Sequence, residues 1–322
     1  MRAVIIEKFG GAEVLKSAVM PKPEPGEGQL LVRVFACGVN PVDYKIRKGL
    51  LPLGFTFPLI LGYDVSGVVE AVGPDVHDFT PGDEVFYSPE LVTPGAYAEY
   101  HVVDEHIASL KPVGLTHAEA ASIPLAGCTA WQALFDRACI EGADAVLVHG
   151  GAGGVGSMAV QLASWMGCEV FATASKANRE FVEDLGADVV IDYASDDFVN
   201  AVLDATDGEG VDAVLDTVGG EVLTRSFEVL APHGCVVSIA PENLQGGSLE
   251  ALHAAFFKNA ELHCLFMERD RGSLDGLARL LERRFIEPLV EDVLPLEGVA
   301  KAHQRLETGH GRGKIVIQVT EG

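Results

Sequence analysis

Four things are scarce in this 322-residue chain. It has no stretch of about 18 uninterrupted apolar residues, so a membrane-spanning helix is not expected. Its opening residues, Met1-Arg2-Ala3-Val4-Ile5-Ile6-Glu7-Lys8, hold no apolar core of signal-peptide length. The six cysteines, Cys37, Cys128, Cys139, Cys168, Cys235 and Cys264, lie scattered, with no C-x-x-C and no paired spacing. That usage predicts reduced thiols in a cytosolic, cytoplasmic protein. Cations are scarce as well: 23 Lys and Arg stand against 47 Asp and Glu, for a formal net charge of −24. Such a charge opposes nucleic acid and anionic membrane as partners and favours solubility. The apolar residues, 48% of the chain, suffice for sizeable cores, and the length suggests two domains or one large α/β unit.

The most informative run is Val146-Leu147-Val148-His149-Gly150-Gly151-Ala152-Gly153-Gly154-Val155-Gly156. It reads as a buried strand that turns on glycines into a helix, with Gly151, Gly153 and Gly156 fitting G-x-G-x-x-G. In that pattern one glycine permits a tight turn, the second lets backbone approach a pyrophosphate, and the third lets helix pack closely on strand. The helix N-terminus offers its unpaired N–H groups to the phosphates. The amphipathic segment Met158, Leu162, Trp165, Met166, closed by Gly167, supplies the helix that the motif requires. Gly151 to Gly156, including Ala152, Gly154 and Val155, are therefore candidate cofactor-binding residues.

Cys168 to Thr173 reads as the next strand. An NAD-binding protein usually carries Asp or Glu at its end, about 20 residues past the glycines, for the ribose 2′-hydroxyl. Here stand Ala174-Ser175-Lys176-Ala177-Asn178-Arg179. No carboxylate is present to repel a 2′-phosphate, while a hydroxyl and two cations are present to bind one. The preference expected is NADPH over NADH. Ser175 also suits a cap on a helix starting at Lys176, with both cations solvated; the two readings coexist, because a capped helix start is itself a phosphate site.

The middle of the chain repeats this rhythm. Strands are expected at Asp188–Tyr193, Val211–Asp216 and Cys235–Ala240, with helices at Asp196–Ala205 and Glu221–Leu230 between them. This is a doubly wound parallel sheet. Before about residue 110 the texture changes to short β-rich runs (Leu30–Phe35, Val65–Val72, Glu84–Tyr87, Tyr97–Val103) broken by Pro and Gly, an irregular β domain. The tail from about Glu261 predicts helices at Ser273–Arg284 and Leu296–Glu307 and a strand, Lys314–Val319, which could return to either domain.

Seven segments in order resemble the medium-chain dehydrogenase/reductase superfamily, and within it the zinc-free quinone oxidoreductase-like branch that also holds alkenal and enone reductases. They are Gly38 to Gly49 (GVNPVDYKIRKG), Gly62 to Val69 with Val72-Gly73, Gly82 to Val85, Gly95 to Tyr100, the glycine loop, Leu185 to Asp188 with Ile191-Asp192-Tyr193, and Asp216 to Gly220. The resemblance implies an α/β protein: a Rossmann sheet at residues 124–260, and a β-rich GroES-like catalytic domain made of 1–123 and 261–322. It also implies that Tyr193 lies near the adenosine phosphate edge, against the simpler reading of a strand-end aromatic. Thr129 is expected on the nicotinamide side. Thr217 and Val218, with Ser238, Ile239, Ala240 and Pro241, fall at strand ends where the ligand crevice forms. Leu265-Phe266-Met267 would line the substrate pocket, although such a trio also suits plain core.

Zinc members of that superfamily carry Cys where this chain has Asn40, and Gly-His-Glu where it has Gly62-Tyr63-Asp64. They often add four cysteines after the Gly-Asp-Glu-Val strand, yet none occurs here between Asp83 and Cys128. Zn²⁺ needs three or four ligands in one place, so no catalytic or structural zinc is expected, and an acceptor that is already electrophilic is. An α,β-unsaturated carbonyl or a quinone fits, with hydrogen-bond donors holding the developing oxyanion. The candidate catalytic residues are Asn40 and Lys45, with Tyr44 and Tyr63 as walls or phenol donors. Asn40 before Pro41 also reads as a helix N-cap, and Lys45 as an ion-pair partner of Asp64. Three functions stay open: an NADPH-dependent quinone or enone reductase, a zinc-free carbonyl or alcohol oxidoreductase, and a cofactor-binding protein with little turnover. An open sheet leaves an unpaired edge, and the family pairs there, so a homodimer joined near Gly246 to Phe266 is expected.

Overall fold

The protein is described here from a computed structural model, which covers residues 1–51, 53–240, 249–309 and 311–320, with the side chains of 249–252 left aside. The chain divides into two compact units, Met1–Cys128 with Glu268–Gly322, and Thr129–Met267. Strands β1 (Arg2–Ile6), β2 (Lys16–Val19), β3 (Gln29–Gly38), β4 (Leu59–Ile60), β5 (Val65–Val72), β6 (Glu84–Tyr87), β7 (Tyr100–Asp104) and β8 (Ser109–Leu110) belong to the first unit. β1 joins β2 and β4 in a small antiparallel sheet. The long β3, buried along most of its length, pairs antiparallel with β5 and β7.

A short helix, Pro41–Arg47, leaves the end of β3. Asn40 is extended, Pro41 takes the first helical position, and the Asp43 carboxylate accepts the Asn40 N–H at 2.6 Å. Proline is pre-set for that position and has no N–H to lose. The helix buries Asp43, Ile46 and Arg47.

The second unit is the doubly wound sheet. Its six strands, β9 (Ala145–Val148), β10 (Glu169–Ala174), β11 (Val189–Asp192), β12 (Val211–Asp216), β13 (Leu230–Ser238) and β14 (Glu261–Cys264), run parallel in the order β11-β10-β9-β12-β13-β14. Chain order reverses between β9 and β12, the switch point where such sheets open a ligand crevice. Leu147, Phe171, Val214 and Val236 from four strands pack with Phe198, Val202, Leu223 and Phe227 from the helical side. β14 changes the boundary expected at residues 260 and 261: this strand hydrogen-bonds to β13 from Cys235↔Glu261 to Ser238↔Cys264 and so completes the parallel sheet.

The chain then returns to the first unit. Helix Arg271–Glu282 starts on Asp270, whose carboxylate accepts the N–H groups of Gly272 and Ser273, and it buries Leu274, Leu277, Leu280 and Leu281 along one face. β15 (Val290–Pro295), which the sequence reading did not contain, is followed by helix Val299–Leu306 and β16 (Lys314–Gln318). β16 runs antiparallel to β3, with Val316↔Gly38 and Gln318↔Ala36, and parallel to β15. The returning strand, left open by the sequence, thus closes the first unit's main sheet.

Three histidines are held neutral inside the two units. His101 pairs with the Tyr87 hydroxyl at 3.0 Å, His149 lies between Thr173 and Ser226 hydroxyls, and His303 lies between Arg47 and Tyr97. Burial pushes them down from 6.5, to about 4 for His101 and about 3 for His149 and His303. The unfolded chain therefore takes up three protons that the folded chain refuses, and stability is lost as pH falls from 6.5 towards 4. Asp43, pushed up to about 7 by burial, acts in the opposite sense, its contribution fading as pH rises from 3.8 through 7. Three groups outweigh one, so the melting temperature should climb between pH 4 and pH 6.5. A melting temperature that is flat or falls across that range would contradict this account.

Candidate functional site

The glycine loop lies at the switch point of the second unit. The residue that turns the chain is Gly150, at φ 72°, rather than Gly151. A Cβ at Gly151 would stand 3.0 Å from the Ala172 Cβ and 3.2 Å from Val182, so that glycine is needed for packing. A Cβ at Gly156 would overlap the Gly150 carbonyl oxygen, which is why the helix can start so close to the strand end. Gly153 is exposed, and a Cβ there would have only the Gly150 oxygen near it, at 3.4 Å. Helix Gly154–Met166 begins immediately after it and ends on Gly167 at φ 91°. The first N–H groups of a helix have no partner within it. No side chain stands over Gly153 at the start of this helix, and Ala152 is buried beneath.

Beside this loop, β10 ends at Ala174 and passes into a single 3-10 turn, Lys176–Asn178. Ser175 takes the capping position, but its hydroxyl makes no capping bond. Lys176 is exposed, and Arg179 reaches Glu183 at 3.7 Å across an exposed pair. Tyr193 is 55% exposed at the end of β11. The hydroxyls of Thr217 and Ser238 are committed internally. Thr217 donates to the His149 carbonyl at 2.7 Å, and Ser238 to the buried Asp216 carboxylate at 2.7 Å. Asp216 also accepts the Val218 and Gly219 N–H groups. Ser238 and Thr217 therefore shape the strand ends, while Val218 is 46% exposed and Ile239 half-buried. Ala240 and Thr129 are buried. Leu265 and Met267 are buried and Phe266 is 65% exposed, so that trio splits between core and surface. Pro241 lies outside the described residues.

The first unit gathers its polar groups around Asn40. Asn40 is buried, and its side-chain amide donates to Asp64 Oδ2 at 2.7 Å. The Lys314 ammonium donates to Asn40 Oδ1 and, at 3.0 Å, to the same Asp64 oxygen. Asp64 Oδ1 accepts the Leu125 N–H at 2.6 Å. Lys314, rather than Lys45, is thus the cation on Asp64; 250 positions separate the pair, so no local pattern could reveal it. Lys45 is half-buried on the Pro41–Arg47 helix, and Tyr44 is half-buried with the Lys48 ammonium 5.3 Å from its ring centre. Tyr63 is wholly buried, its hydroxyl donated to the Leu91 carbonyl at 3.2 Å, and burial pushes its phenol up. That phenol's one proton is committed, so Tyr63 is a structural member here.

Behind Asn40 runs a second network. Asp43 accepts the Tyr97 hydroxyl at 3.0 Å and the Gly62 N–H at 3.2 Å. Tyr97 meets His303 at 3.3 Å, His303 meets the fully buried Arg47, and Arg47 pairs with Glu307. The segment around Leu53 to Ile60, with Met20, Val92 and Pro94, lines a concavity whose wall includes Leu53, Phe55 and Thr56. Among the described residues no three His, Cys, Asp or Glu side chains come together to hold a metal.

A switch-point glycine loop in a parallel sheet, in a chain that also holds an irregular antiparallel β unit, defines a two-domain dinucleotide-binding protein. The alcohol dehydrogenase GroES-like domain model matches residues 26–113, and the zinc-binding dehydrogenase model matches 185–317. The human mitochondrial NAD(P)H oxidoreductase RTN4IP1 is 35% identical over 359 residues, covering 99% of this chain and 89% of its own. Among solved structures, the quinone oxidoreductase of Coxiella burnetii superposes with TM-score 0.90 at 36% identity over 99% of both chains. An NAD-dependent alcohol dehydrogenase gives 0.94 at 33% identity, covering 99% of this chain and 100% of its own. A mycobacterial protein complexed with NADPH gives 0.90 at 32%, with the same coverage. The chain belongs to the medium-chain dehydrogenase/reductase superfamily, in its quinone oxidoreductase-like branch.

The Gly150 and Gly156 contact can be tested alone. Gly156→Ala puts a methyl group into the Gly150 carbonyl and must displace the loop. The variant should fold, with the nicotinamide cofactor bound at least tenfold more weakly by fluorescence titration. An unchanged dissociation constant would show that the loop does not hold phosphate.

Proposed function

We propose that this protein is an NADPH-dependent oxidoreductase that reduces quinones or α,β-unsaturated carbonyls without zinc. The observation that carries the reading is the open glycine loop at Gly153 beside an exposed Ser175-Lys176 turn that lacks any carboxylate. Bound NADPH supplies a hydride. The chain's own residues bind and orient: Gly154 to Gly156 offer N–H groups to the pyrophosphate, and Ser175 and Lys176 attract a 2′-phosphate. Tyr193, exposed beside that turn, offers an aromatic face to the adenosine end.

In the first unit, Asn40 has one amide proton beyond the one given to Asp64. We assign it to the oxygen of the acceptor, where negative charge develops. Lys45 and Tyr44, half-buried on the same helix, are the other candidates to line that acceptor. The zinc-independent reading rests on donor chemistry. The positions considered for ligands hold an amide, a committed phenol and a carboxylate already neutralised by Lys314; an added divalent cation would meet that ammonium at close range. A cytoplasmic setting belongs to the same reading and rests on the unpaired cysteines. The human relative is named as a mitochondrial protein.

The test is NADPH consumption against a panel of quinones and enones, each enone matched with its saturated ketone, before and after chelation. Turnover of quinones or enones unaffected by chelator is expected. Turnover of the saturated ketone alone would favour a carbonyl or alcohol oxidoreductase, the activity named for one of the similar structures. Tight NADPH binding with no turnover would favour a cofactor-binding role.

Cofactor choice gives a sharper prediction. One charge-assisted hydrogen bond to the 2′-phosphate contributes roughly 1.5–3 kcal/mol, so NADPH should bind at least tenfold more tightly than NADH. Lys176→Glu should narrow or reverse that gap, as read by paired titrations. Equal affinities in the unmutated protein would sink it.

We further infer that two copies pair along β14. Among the described residues this edge strand pairs with β13 alone, and Leu262 is 44% exposed, with Phe256, Phe257 and Phe266 exposed beside it in sequence. Leu265 is buried within its own subunit, and Gly246 and the side chains of Leu249 and Leu252 lie outside the described residues. Sedimentation should give a dimer at micromolar concentration, and Leu262→Asp with Phe257→Asp should give a monomer. A dimer that survives both changes has its interface elsewhere.

A further inference from the structure

We propose that Lys314 is a positioning residue for the reaction: its ammonium fixes the side-chain amide of Asn40 in one orientation, so that the remaining amide proton is held ready for the acceptor oxygen. This rests on the role assigned to Asn40 above.

The argument starts from the donor inventory of an asparagine side chain, which has one oxygen acceptor and two N–H donors. Lys314 can only donate, and it donates to Asn40 Oδ1. The ionised Asp64 can only accept, and it accepts from Asn40 Nδ2 at 2.7 Å. Reversing the amide would set nitrogen against ammonium and oxygen against carboxylate. The second amide proton has no partner among the described residues.

Lys314 acts twice in this geometry. It binds Oδ1 directly, and at 3.0 Å it also donates to Oδ2 of the wholly buried Asp64, the oxygen that accepts the Asn40 amide. Without it, Asp64 would stand buried with no cation against it, and Asn40 Oδ1 would lose its charged donor. The amide would then be held through Nδ2, without the charged contact that fixes its oxygen. The Leu125 N–H on Asp64 Oδ1 fixes the carboxylate but leaves the amide's direction undecided. The direction is therefore set by a residue of β16, while the group it directs sits at the start of the Pro41–Arg47 helix.

The experiment is a double-mutant cycle on Lys314→Met and Asn40→Ala, read in kcat, KM and NADPH affinity with the best quinone or enone of the panel. Each single change should lower kcat about a hundredfold, the scale of one lost oxyanion donor. NADPH affinity should stay within twofold. The double variant should lose no more than Asn40→Ala alone, because Lys314 acts through Asn40. Affinity for 4-nitrophenolate, an oxyanion probe that needs no turnover, should fall in parallel in both single variants. Losses that multiply in the double variant, or unchanged phenolate affinity in Lys314→Met, would overturn the proposal. If Lys314→Met does not fold, Asp64→Asn with Lys314→Met removes both buried charges together. A kcat still reduced about a hundredfold in that variant supports the proposal, and native kcat overturns it. An unmutated protein that reduces no quinone or enone would overturn instead the functional reading on which this rests.

Discussion

The buried carboxylate of Asp43 is the point through which the first unit's parts are held in register. It accepts the N–H that opens the Pro41–Arg47 helix, the N–H of Gly62 ahead of Tyr63 and Asp64, and the hydroxyl of Tyr97. Three chain segments far apart in sequence converge on two oxygen atoms. Its burial raises its proton affinity, and the Asn40 N–H and the Tyr97 hydroxyl work against that rise. Beyond Tyr97 the network continues through His303 and Arg47 to Glu307, where Lys48 supplies a second cation from the surface. A buried guanidinium without that carboxylate would be costly, so the helix Val299–Leu306 is anchored to the helix that carries Asn40.

The second unit follows the same logic with neutral groups. His149 sits under the glycine loop between two hydroxyls, and Thr173, one of them, accepts the Gly150 N–H at 3.1 Å. Asp216 gathers the N–H groups after β12 and the hydroxyl at the end of β13. Polar side chains at these strand ends are turned inward to hold backbone in place, leaving backbone amides as the groups offered outward. Such a surface suits a ligand with many phosphate oxygens, because amides fixed by a rigid sheet need not reorganise on binding.

Much of this was legible before any coordinates. Five of the six strands of the parallel sheet follow from short apolar runs, and helix Phe198–Ala205 from its 3.6-residue apolar spacing. The glycine loop was legible in pattern but not in detail, because the residue at positive φ is Gly150, one position before the motif. β14 and β15 were missed for different reasons. Glu261–Cys264 carries two charged or polar residues in four and an exposed leucine, as an edge strand does, and Val290–Pro295 sets two acidic residues side by side and ends on proline, so no two-residue alternation marks it. Lys314 could not have been found by any local rule, since a lysine entering a strand usually reads as a solvated charge. Its burial is decided by β3 and Asp64, both distant in the chain.

The pairing of β16 with β3 sets an order of events during synthesis. Domains tend to fold as they emerge from the ribosome, yet the first unit's main sheet is interrupted by the whole of Thr129–Met267 and receives β15 and β16 only after that insertion has been made. The nucleotide unit is translated in one piece and can close early. The unit bearing Asn40 must wait with Asp64 uncompensated until Lys314 arrives at the first position of β16. The Asn40, Asp64 and Lys314 cluster is thus the part of the fold completed last, and a chain released before that strand would hold a finished dinucleotide sheet with the other unit unfinished.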